Sequence, residues 1–341
     1  MSPNPDAGAR RAGMREVAER AGVALSSVSR VLSGHPDVSE VMRNRVRDAV
    51  AALGYEPDML AQSMRTGATM TVGFVVSDIS NPLFAQIGLG AEVRLRESGY
   101  ALQLANSMSR PGLDARHVRL FRSRRVDGLL LSLADEDDGE SVRAVAASDI
   151  PCVLVDREAP ELAGMSAVLS DHAAGMTDAV EHLLGLEHQR IALVNGNPRV
   201  RPAKERAKVL RRLTRGRPDV TAQLRQGSFT AEHGAAACAE LLAQPHRPTA
   251  VIVGGNQILT GVLRAIRAAG LRVPTDLSLI TCDDVPLAEF LEPPIATVSR
   301  QPGEIGRVAA ELLLDRIAGA EPRRVTLPTG FRPTDSCARP L

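Results

Sequence analysis

Residues 14–33, MREVAERAGVALSSVSRVLS, predict two short helices joined by a tight turn. Apolar residues recur at helical spacing, so Val17 on the first segment can pack against Val28 and Val31 on the second. Gly22 lies between the segments and allows a sharp change of direction. The pattern is typical of a helix-turn-helix, although a helical hairpin without a nucleic-acid partner has the same general form.

A third helix is predicted after these two, which makes a small bundle. The helical segments are expected at residues 14–20, 26–33 and 39–53. The third carries an apolar stripe that runs from Val46 to Leu53 at spacings of three and four residues, with arginines beside it. A bundle of about 45 residues is marginal as an isolated unit, so we expect it to be attached to a larger body.

Composition predicts a globular protein of two or three compact units. The chain has 341 residues, of which 44% are hydrophobic and 24% charged. No apolar run has the length of a signal peptide or a membrane span, which indicates a cytoplasmic protein.

Net charge is only +1, so overall charge does not reveal a nucleic-acid partner. The four cysteines are widely spaced, which suggests neither a zinc site nor a disulfide framework.

The chain changes character after Met70, where short apolar runs alternate with helical stretches. The runs lie at residues 72–76, 102–105, 128–133, 152–155, 191–194, 250–253 and 277–280. Such alternation predicts βαβ units around parallel sheets. Because there are more strands than one compact domain usually carries, we expect two doubly wound lobes.

The predicted division of the chain follows from these patterns. Residues 1–13 are expected to form a flexible tail, 14–57 the helix-turn-helix domain and 58–67 a hinge helix. Residues 68–341 are expected to form the core, with one lobe at about 70–168 and 299–325 and the other at about 169–298 and 326–341.

Many separate blocks, from Met14 to about Pro333, resemble the lactose/galactose repressor (LacI/GalR) family. The first is the helix-turn-helix stretch, which is similar to the family pattern V-A-x-x-A-G-V-S-x-x-T-V-S-R-V-L-N. Further blocks include Gly54-Tyr55-x-Pro57, Arg65-Thr66-Gly67, Asp78-Ile79-Ser80-Asn81-Pro82-x-Phe84, Arg125-Val126-Asp127-Gly128, Val155-Asp156-Arg157 and Asp283-Asp284.

The resemblance implies an α/β fold class: an N-terminal three-helix helix-turn-helix domain and hinge helix, then two doubly wound lobes of the periplasmic-binding-protein type. The function it implies is that of a homodimeric transcriptional regulator, most simply a repressor, on a pseudo-palindromic DNA operator. Operator affinity would be controlled by a small effector, expected to be a sugar, bound between the lobes.

By resemblance, the second helix reads DNA. Leu25, Ser26 and Arg30 would face bases, and Ser27 and Ser29 would lie near phosphates. Two departures, Ala24 for a usual serine and Ser33 for a usual asparagine, predict fewer contacts to the DNA backbone.

The hinge helix of the family inserts a large apolar side chain into the minor groove. Here that position is Met64, which is apolar and flexible enough to act as a wedge. The alternative is that Met64 packs against the core.

The effector residues implied by resemblance are Asn81, Phe84, Asp156, Arg206, Asn256 and Asp283. Their chemistry suits a polyol: carboxylates accept from hydroxyl groups, arginine donates, and phenylalanine covers an apolar face. The alternative for the two aspartates is helix capping, since each follows a strand-like run. Departures from the family pattern at Leu83, Gln257 and Thr281-Cys282 leave the identity of the effector open.

Two other functional classes fit a two-lobed α/β protein: a binding protein for transport and a sugar-modifying enzyme. A helix-turn-helix stands where a transport protein would carry its signal peptide. No acid, base or nucleophile occurs at a recognisable catalytic spacing, so we expect neither catalysis nor a cofactor. The acidic run at residues 135–138 is expected to be a solvated loop rather than a metal site.

Overall fold

The computed structural model describes residues 12–32, 35, 37–55, 67–285, 288 and 290–341. These belong to two compact units, Met1–Thr69 and Met70–Leu341. The expectations for the N-terminal tail before residue 12 and for the hinge over residues 56–66, including the wedge residue Met64, lie outside the described residues.

The small unit contains the three predicted helices: α1 (Met14–Ala21), α2 (Leu25–Leu32) and α3 (Glu40–Leu53). Val17, Val28 and Val46, one from each helix, are fully buried against one another in its core. α1 ends at Gly22, whose φ of 61° is a left-handed conformation that favours glycine. The predicted third helix starts one residue late because Ser39 is its N-cap, accepting from the backbone N–H of Met42 at 3.4 Å.

The first lobe of the large unit is built on a six-stranded parallel sheet. Its strands are β1 (Thr71–Val76), β2 (Ala101–Asn106), β3 (Gly128–Leu131), β4 (Cys152–Val155), β5 (Ser166–Ser170) and β11 (Arg324–Leu327), in the order β11-β5-β4-β3-β1-β2. The helices of this lobe are α4 (Pro82–Glu97), α5 (Pro111–Ser123), α6 (Gly139–Ala146) and α11 (Pro302–Ile317). Apolar clusters cover both faces of this sheet, which explains why the sequences of its central strands are continuous apolar runs.

The second lobe repeats this architecture with one difference at its edge. Its strands are β6 (Arg190–Asn195), β7 (Thr221–Gln226), β8 (Ala250–Val253), β9 (Ser278–Cys282), β10 (Ala296–Ser299) and β12 (Gly330–Arg332), in the order β12-β10-β9-β8-β6-β7. The helices are α7 (His172–Gly185), α8 (Arg201–Thr214), α9 (Ala231–Leu242) and α10 (Asn256–Ala268). β12 pairs with β10 in the antiparallel direction, whereas the other pairings are parallel.

The chain passes between the lobes three times, after β5, after β10 and after β11. In the first sheet, β5 extends to Ser170 and β11 to Leu327. Each strand ends two residues beyond the predicted ends of the first-lobe segments, which were residues 168 and 325. The doubly wound two-lobed fold predicted from the alternating pattern is confirmed.

Close helix packing in the first lobe depends on glycine. α4 and α11 approach so closely that a Cβ on Gly306 would collide with the backbone carbonyl oxygen of Ile87. A Cβ on Gly90 would likewise collide with the carbonyl of Gly303. Any larger residue at these two positions must push the helices apart.

Candidate functional site

A cavity lies between the lobes, where the carboxyl ends of both sheets face each other. We call it the interlobe cavity. Its unoccupied space is about 570 Å³, part of which is open to solvent. Ser77 follows β1, Asp156 follows β4 and Asp283 follows β9, so the wall is built from strand ends. Ligands of open α/β sheets bind at this edge.

Five of the six predicted effector residues line this cavity. They are Asn81, Phe84, Asp156, Arg206 and Asp283. The sixth, Asn256, is buried at the first turn of α10, where its Nδ2 donates to Oδ1 of Asn81 at 3.2 Å. Asn81 also caps α4 by accepting from the backbone N–H of Leu83. Both helix starts are therefore tied to each other across the cleft.

Arg300, which the sequence analysis did not select, joins the two aspartates. Its Nη1 donates to Oδ2 of Asp156 at 2.6 Å, and its Nε donates to Oδ1 of Asp283 at 2.7 Å. All three side chains are buried. Burial opposes the charge of Arg300, but the two carboxylates outweigh it and raise its pKa. Arg300 is a permanent cation shared by one carboxylate from each lobe.

Asp156 has further partners. Nε2 of His172 lies 2.9 Å from its Oδ2, the backbone N–H of Ser170 donates to its Oδ1, and Arg201 approaches to 3.4 Å. Burial alone would raise the pKa of Asp156, but contacts with His172, Arg300 and Arg157 hold it well below its usual value. Asp156 is therefore ionised throughout the physiological range.

His172 is neutral in this network. Burial lowers the pKa of its imidazole to about 4, although Asp156 beside it acts in the opposite direction. Neutral His172 donates from Nε2 to the carboxylate, which fixes its tautomer.

Asp283 depends on two arginines. Burial would raise its pKa, but Arg300 and Arg206 outweigh that effect and lower it. Nη2 of Arg206 lies 3.6 Å from Oδ1 of Asp283, while Nη1 of Arg206 donates to the backbone carbonyl of Gly254 at 2.6 Å. Arg206 is thereby held against the cavity wall.

The two aspartates have unusual backbone conformations. Asp156 has a φ of 52° and Asp283 a φ of 74°, both in the left-handed region that residues other than glycine rarely occupy. Such conformations concentrate at ligand sites, where the surrounding structure holds them in place. Each lobe thus has one aspartate with a positive φ directly after a central strand.

Polar side chains also close the rim of the cleft. Nε2 of Gln257 donates to Ser80 Oγ at 2.7 Å and lies 3.3 Å from Oδ2 of Asp78. Inside the cavity, Ser132 Oγ is buried and has no hydrogen-bond partner among the described residues. A bound hydroxyl or carbonyl group would satisfy it.

The acidic run at residues 135–138 is a loop, as predicted, but only its second half is solvated, where Asp137 is exposed and Asp138 half-buried. Asp135 and Glu136 are buried, and both contact the second lobe. Arg199 donates to Asp135 at 2.5 Å, and the backbone N–H of Arg201 donates to Glu136 at 2.8 Å. Lys204 lies 3.4 Å from Glu136. The prediction was wrong for Asp135 and Glu136 because their partners lie more than 60 residues further along the chain.

Arg157, His172, Phe229 and Arg300 are the main site residues that sequence reasoning missed. Arg157 stands in the quoted block Val155-Asp156-Arg157, and Arg300 lies next to the predicted lobe boundary at about residue 299, so both carried a signal. Phe229, on the loop before α9, lines the cavity without a recognisable motif.

The outward face of α2 is the second candidate site. Leu25, Ser26 and Arg30 are exposed on it, and Ser27 and Ser29 are half-buried. Val28 is fully buried in the small unit's core, which fixes the rotation of the helix. The serines between Leu25 and Arg30 are short, so the helix can approach another surface closely.

Two negative findings hold for the part of the chain that the structure describes. It contains no cluster of three or more His, Cys, Asp or Glu arranged to bind a metal ion. None of its helices has both the length and the apolar character that crossing a membrane requires.

Two family models match the chain. "Bacterial regulatory proteins, lacI family" matches residues 13–58, and "Periplasmic binding protein-like domain" matches residues 180–337. The ribose operon repressor of Escherichia coli strain K12 is 32% identical over 312 residues, with 89% of this chain and 92% of the relative covered.

Solved structures agree over nearly the whole chain. The lac repressor dimer bound to operator and the anti-inducer ONPF matches with a TM-score of 0.86 and 26% identity, covering 96% of this chain and 100% of that one. The complex of the transcriptional regulator CelR with cellobiose matches with a TM-score of 0.71, 32% identity and the same coverage. The chain therefore belongs to the lacI family of bacterial regulatory proteins, DNA-binding transcriptional repressors that a small molecule bound in the core controls.

Proposed function

We propose that this repressor binds a pseudo-palindromic operator as a homodimer through α2, and that a sugar or sugar derivative in the interlobe cavity controls the binding. Residues 14–57 would form the DNA-binding domain, 58–67 the hinge, and 68–341 the effector-binding and dimerisation core. The observation that carries the DNA-binding part is the exposed face of α2, with Arg30 beside small serines.

The length and chemistry of each side chain decide whether it is proposed to contact a base or a phosphate. Arg30 is long enough to donate two hydrogen bonds to a guanine edge, and Leu25 and Ser26 would contact neighbouring bases. Ser27 and Ser29 would donate to phosphates, which fixes the position of the helix in the groove. Met64 is proposed to enter the central minor groove as an apolar wedge.

Replacing Arg30 tests the DNA-binding part. An operator is first selected from random duplex DNA with the wild-type protein, and affinity is measured by fluorescence anisotropy at fixed salt. Arg30→Ala should weaken operator binding by about 1–3 kcal/mol if Arg30 makes a paired base contact. Arg15→Ala, on α1, is the matched control for loss of one positive charge. Equal effects of the two substitutions would remove Arg30 from the reading surface.

A sugar effector is supported by the chemistry of the interlobe cavity. Carboxylates, arginines, Ser132 and Asn81 offer both acceptors and donors, and Phe84 supplies an apolar face. Among the relatives, one is named for a ribose operon and another was solved with cellobiose. The proposed effector residues are Asn81, Phe84, Asp156, Arg206, Asn256 and Asp283.

A homodimer is supported by an apolar face on the first lobe. Leu89 and Val93 of α4 are 63% and 41% exposed, beside a groove shared with α11. Charged side chains, among them Arg94 and Glu304, surround the groove, as at the polar rim of an interface. The lac repressor was solved as a dimer on its operator. In the proposed homodimer of this chain, a second copy would cover the apolar face of α4 and α11.

We further infer that the protein acts in the cytoplasm, where its DNA target is, and without catalysis. The charged groups in the cavity are paired with one another, and the relatives are named as repressors.

A further inference from the structure

A second cavity adjoins the interlobe cavity, and we call it the outer chamber. Its unoccupied space is about 730 Å³, part of which is open to solvent. Ser77, Ser109, Arg157 and Phe229 line both cavities, so the two meet along these side chains. The cleft between the lobes is therefore longer than the cavity that the predicted effector residues surround.

The outer chamber is also formed by both lobes. Asn197 on the second lobe donates from Nδ2 to the backbone carbonyl of Ala134 on the first lobe at 3.1 Å. Ser228, on the loop before α9, forms another part of the wall and is exposed. A molecule lying here would contact the same two lobes as a molecule in the interlobe cavity.

The two cavities differ in chemistry. In the interlobe cavity the carboxylates of Asp156 and Asp283 are already bound to Arg300. The described wall of the outer chamber contains no carboxylate. It offers serine hydroxyls, the amide of Asn197 and the guanidinium of Arg157, whose Nε and Nη1 donate to backbone carbonyls. The carboxylates of Glu136 and Asp156 balance the positive charge of Arg157. This wall therefore suits an uncharged group rich in hydroxyls, which both donate and accept.

Phe229 stands where the cavities meet and presents one aromatic ring. A single ring covers the apolar C–H face of a sugar. A nucleobase is usually stacked between two aromatic or apolar side chains and hydrogen-bonded at its edge. We infer, resting on the proposed sugar effector, that the effector is a disaccharide whose second ring occupies the outer chamber. The first ring would lie among Phe84, Arg206 and Ser132.

Calorimetric titration of the full-length protein tests this inference. The probes are cellobiose, maltose, trehalose and sucrose, their monosaccharides glucose and fructose, and ribose and adenosine. At least one disaccharide should bind about tenfold or more tightly than either of its own monosaccharides, a gain of about 1.4 kcal/mol. If a monosaccharide binds as tightly as every disaccharide that contains it, if adenosine binds best, or if no probe binds, the inference is wrong.

A variant that fills the outer chamber locates the second ring. Ser228→Phe should remove the disaccharide's advantage, while monosaccharide affinity changes by less than about twofold. Ser228→Ala, which removes the hydroxyl without filling space, should keep most of the advantage. Equal disaccharide affinity in wild type and Ser228→Phe would place the second ring elsewhere and overturn the inference.

Operator binding separates this inference from the proposed function. If the disaccharide binds as described but leaves operator affinity unchanged, the second-ring site stands and the effector role fails. If the wild type selects no operator at all, the proposed DNA-binding function fails independently of the sugar titrations.

Discussion

Asp156 and Asp283 occupy equivalent places in the two lobes. Each follows a central strand, each has a positive φ, and each donates its backbone N–H to the neighbouring strand, Asp156 to Val168 at 2.8 Å and Asp283 to Val298 at 3.0 Å. Arg300 contacts both carboxylates. The repeated fold therefore places one carboxylate on each side of the cleft.

The surroundings of the two carboxylates differ. Asp156 also contacts His172, Ser170 and Arg201, whereas Asp283 has Arg206 at 3.6 Å as its other charged partner. The first-lobe carboxylate is thus held by groups from several elements, while the second-lobe carboxylate depends mainly on Arg300. We expect Asp283 to be the side of the cleft that a ligand rearranges more easily.

The largest expected effect comes from removing the shared cation. Arg300→Met should destabilise the core by about 3–5 kcal/mol, because it leaves two buried carboxylates with fewer charged partners. The measurement is urea denaturation of the full chain, followed by circular dichroism.

The combined variant Asp156→Asn/Asp283→Asn/Arg300→Met removes the charges together and is the control. It should recover part of the loss, since the cost comes from unpaired buried charge. If it is as unstable as the sum of its single changes, the three groups do not act as one cluster.

The two carboxylates are expected to contribute unequally to the stability of the core. Asp156→Asn should destabilise the core more than Asp283→Asn, because Asp156 accepts more hydrogen bonds. The expected difference is about 1.5–3 kcal/mol, which is the contribution of one hydrogen bond to a charged group. The same urea measurement gives the difference. A larger loss for Asp283→Asn would reverse our ranking of the two lobes.

Buried His172 makes the stability of the protein depend on pH. The unfolded pKa of histidine is about 6.5, whereas burial lowers the pKa of His172 to about 4 in the folded protein. Below about pH 6.5 this histidine is protonated in the unfolded chain but stays neutral in the folded protein. The free energy of unfolding therefore falls by about 1–2 kcal/mol down to pH 5. Asp156 and Asp283, whose folded pKa values are lowered, add their loss only below about pH 4.

Comparison with His172→Gln isolates this effect. Glutamine keeps a donor for Asp156 but does not titrate, so the variant should lose less stability than wild type between pH 6.5 and pH 5. The comparison is needed because His188, with a pKa lowered to about 4, acts in the same direction, whereas Asp114, with a pKa raised to about 6, acts in the opposite one. Parallel pH profiles for wild type and variant would show that His172 is not the titrating group.

Much of the fold could be predicted because central strands are buried on both faces. The apolar runs at Cys152–Val155 and Ala250–Val253 coincide with β4 and β8. The edge strand β7 (Thr221–Gln226) was missed since it is largely polar and partly exposed, and so has no apolar run.

The site was less accessible to sequence reasoning. The family resemblance supplied the two aspartates, but their link through Arg300 joins residues 144 positions apart. Burial of Asp135 and Glu136 likewise depends on arginine and lysine side chains of the other lobe. Contacts across the cleft arise only after both lobes have folded, and local patterns do not encode them.

The smallest expected effect lies at the edge of the same cleft, at Lys204. Its Nζ is 3.4 Å from Glu136 and 3.2 Å from Asp137, but the lysine side chain is 41% exposed. Lys204→Ala should therefore cost only about 0.2–1 kcal/mol, because solvent screens such pairs. Lys208→Ala, one turn further along α8, is the matched control. The loss for Lys204 should shrink in 1 M salt, where the screening length falls to about 3 Å. A loss above about 2 kcal/mol that persists in high salt would mean that the acidic run, rather than the buried Arg300 cluster, is a main tie between the lobes.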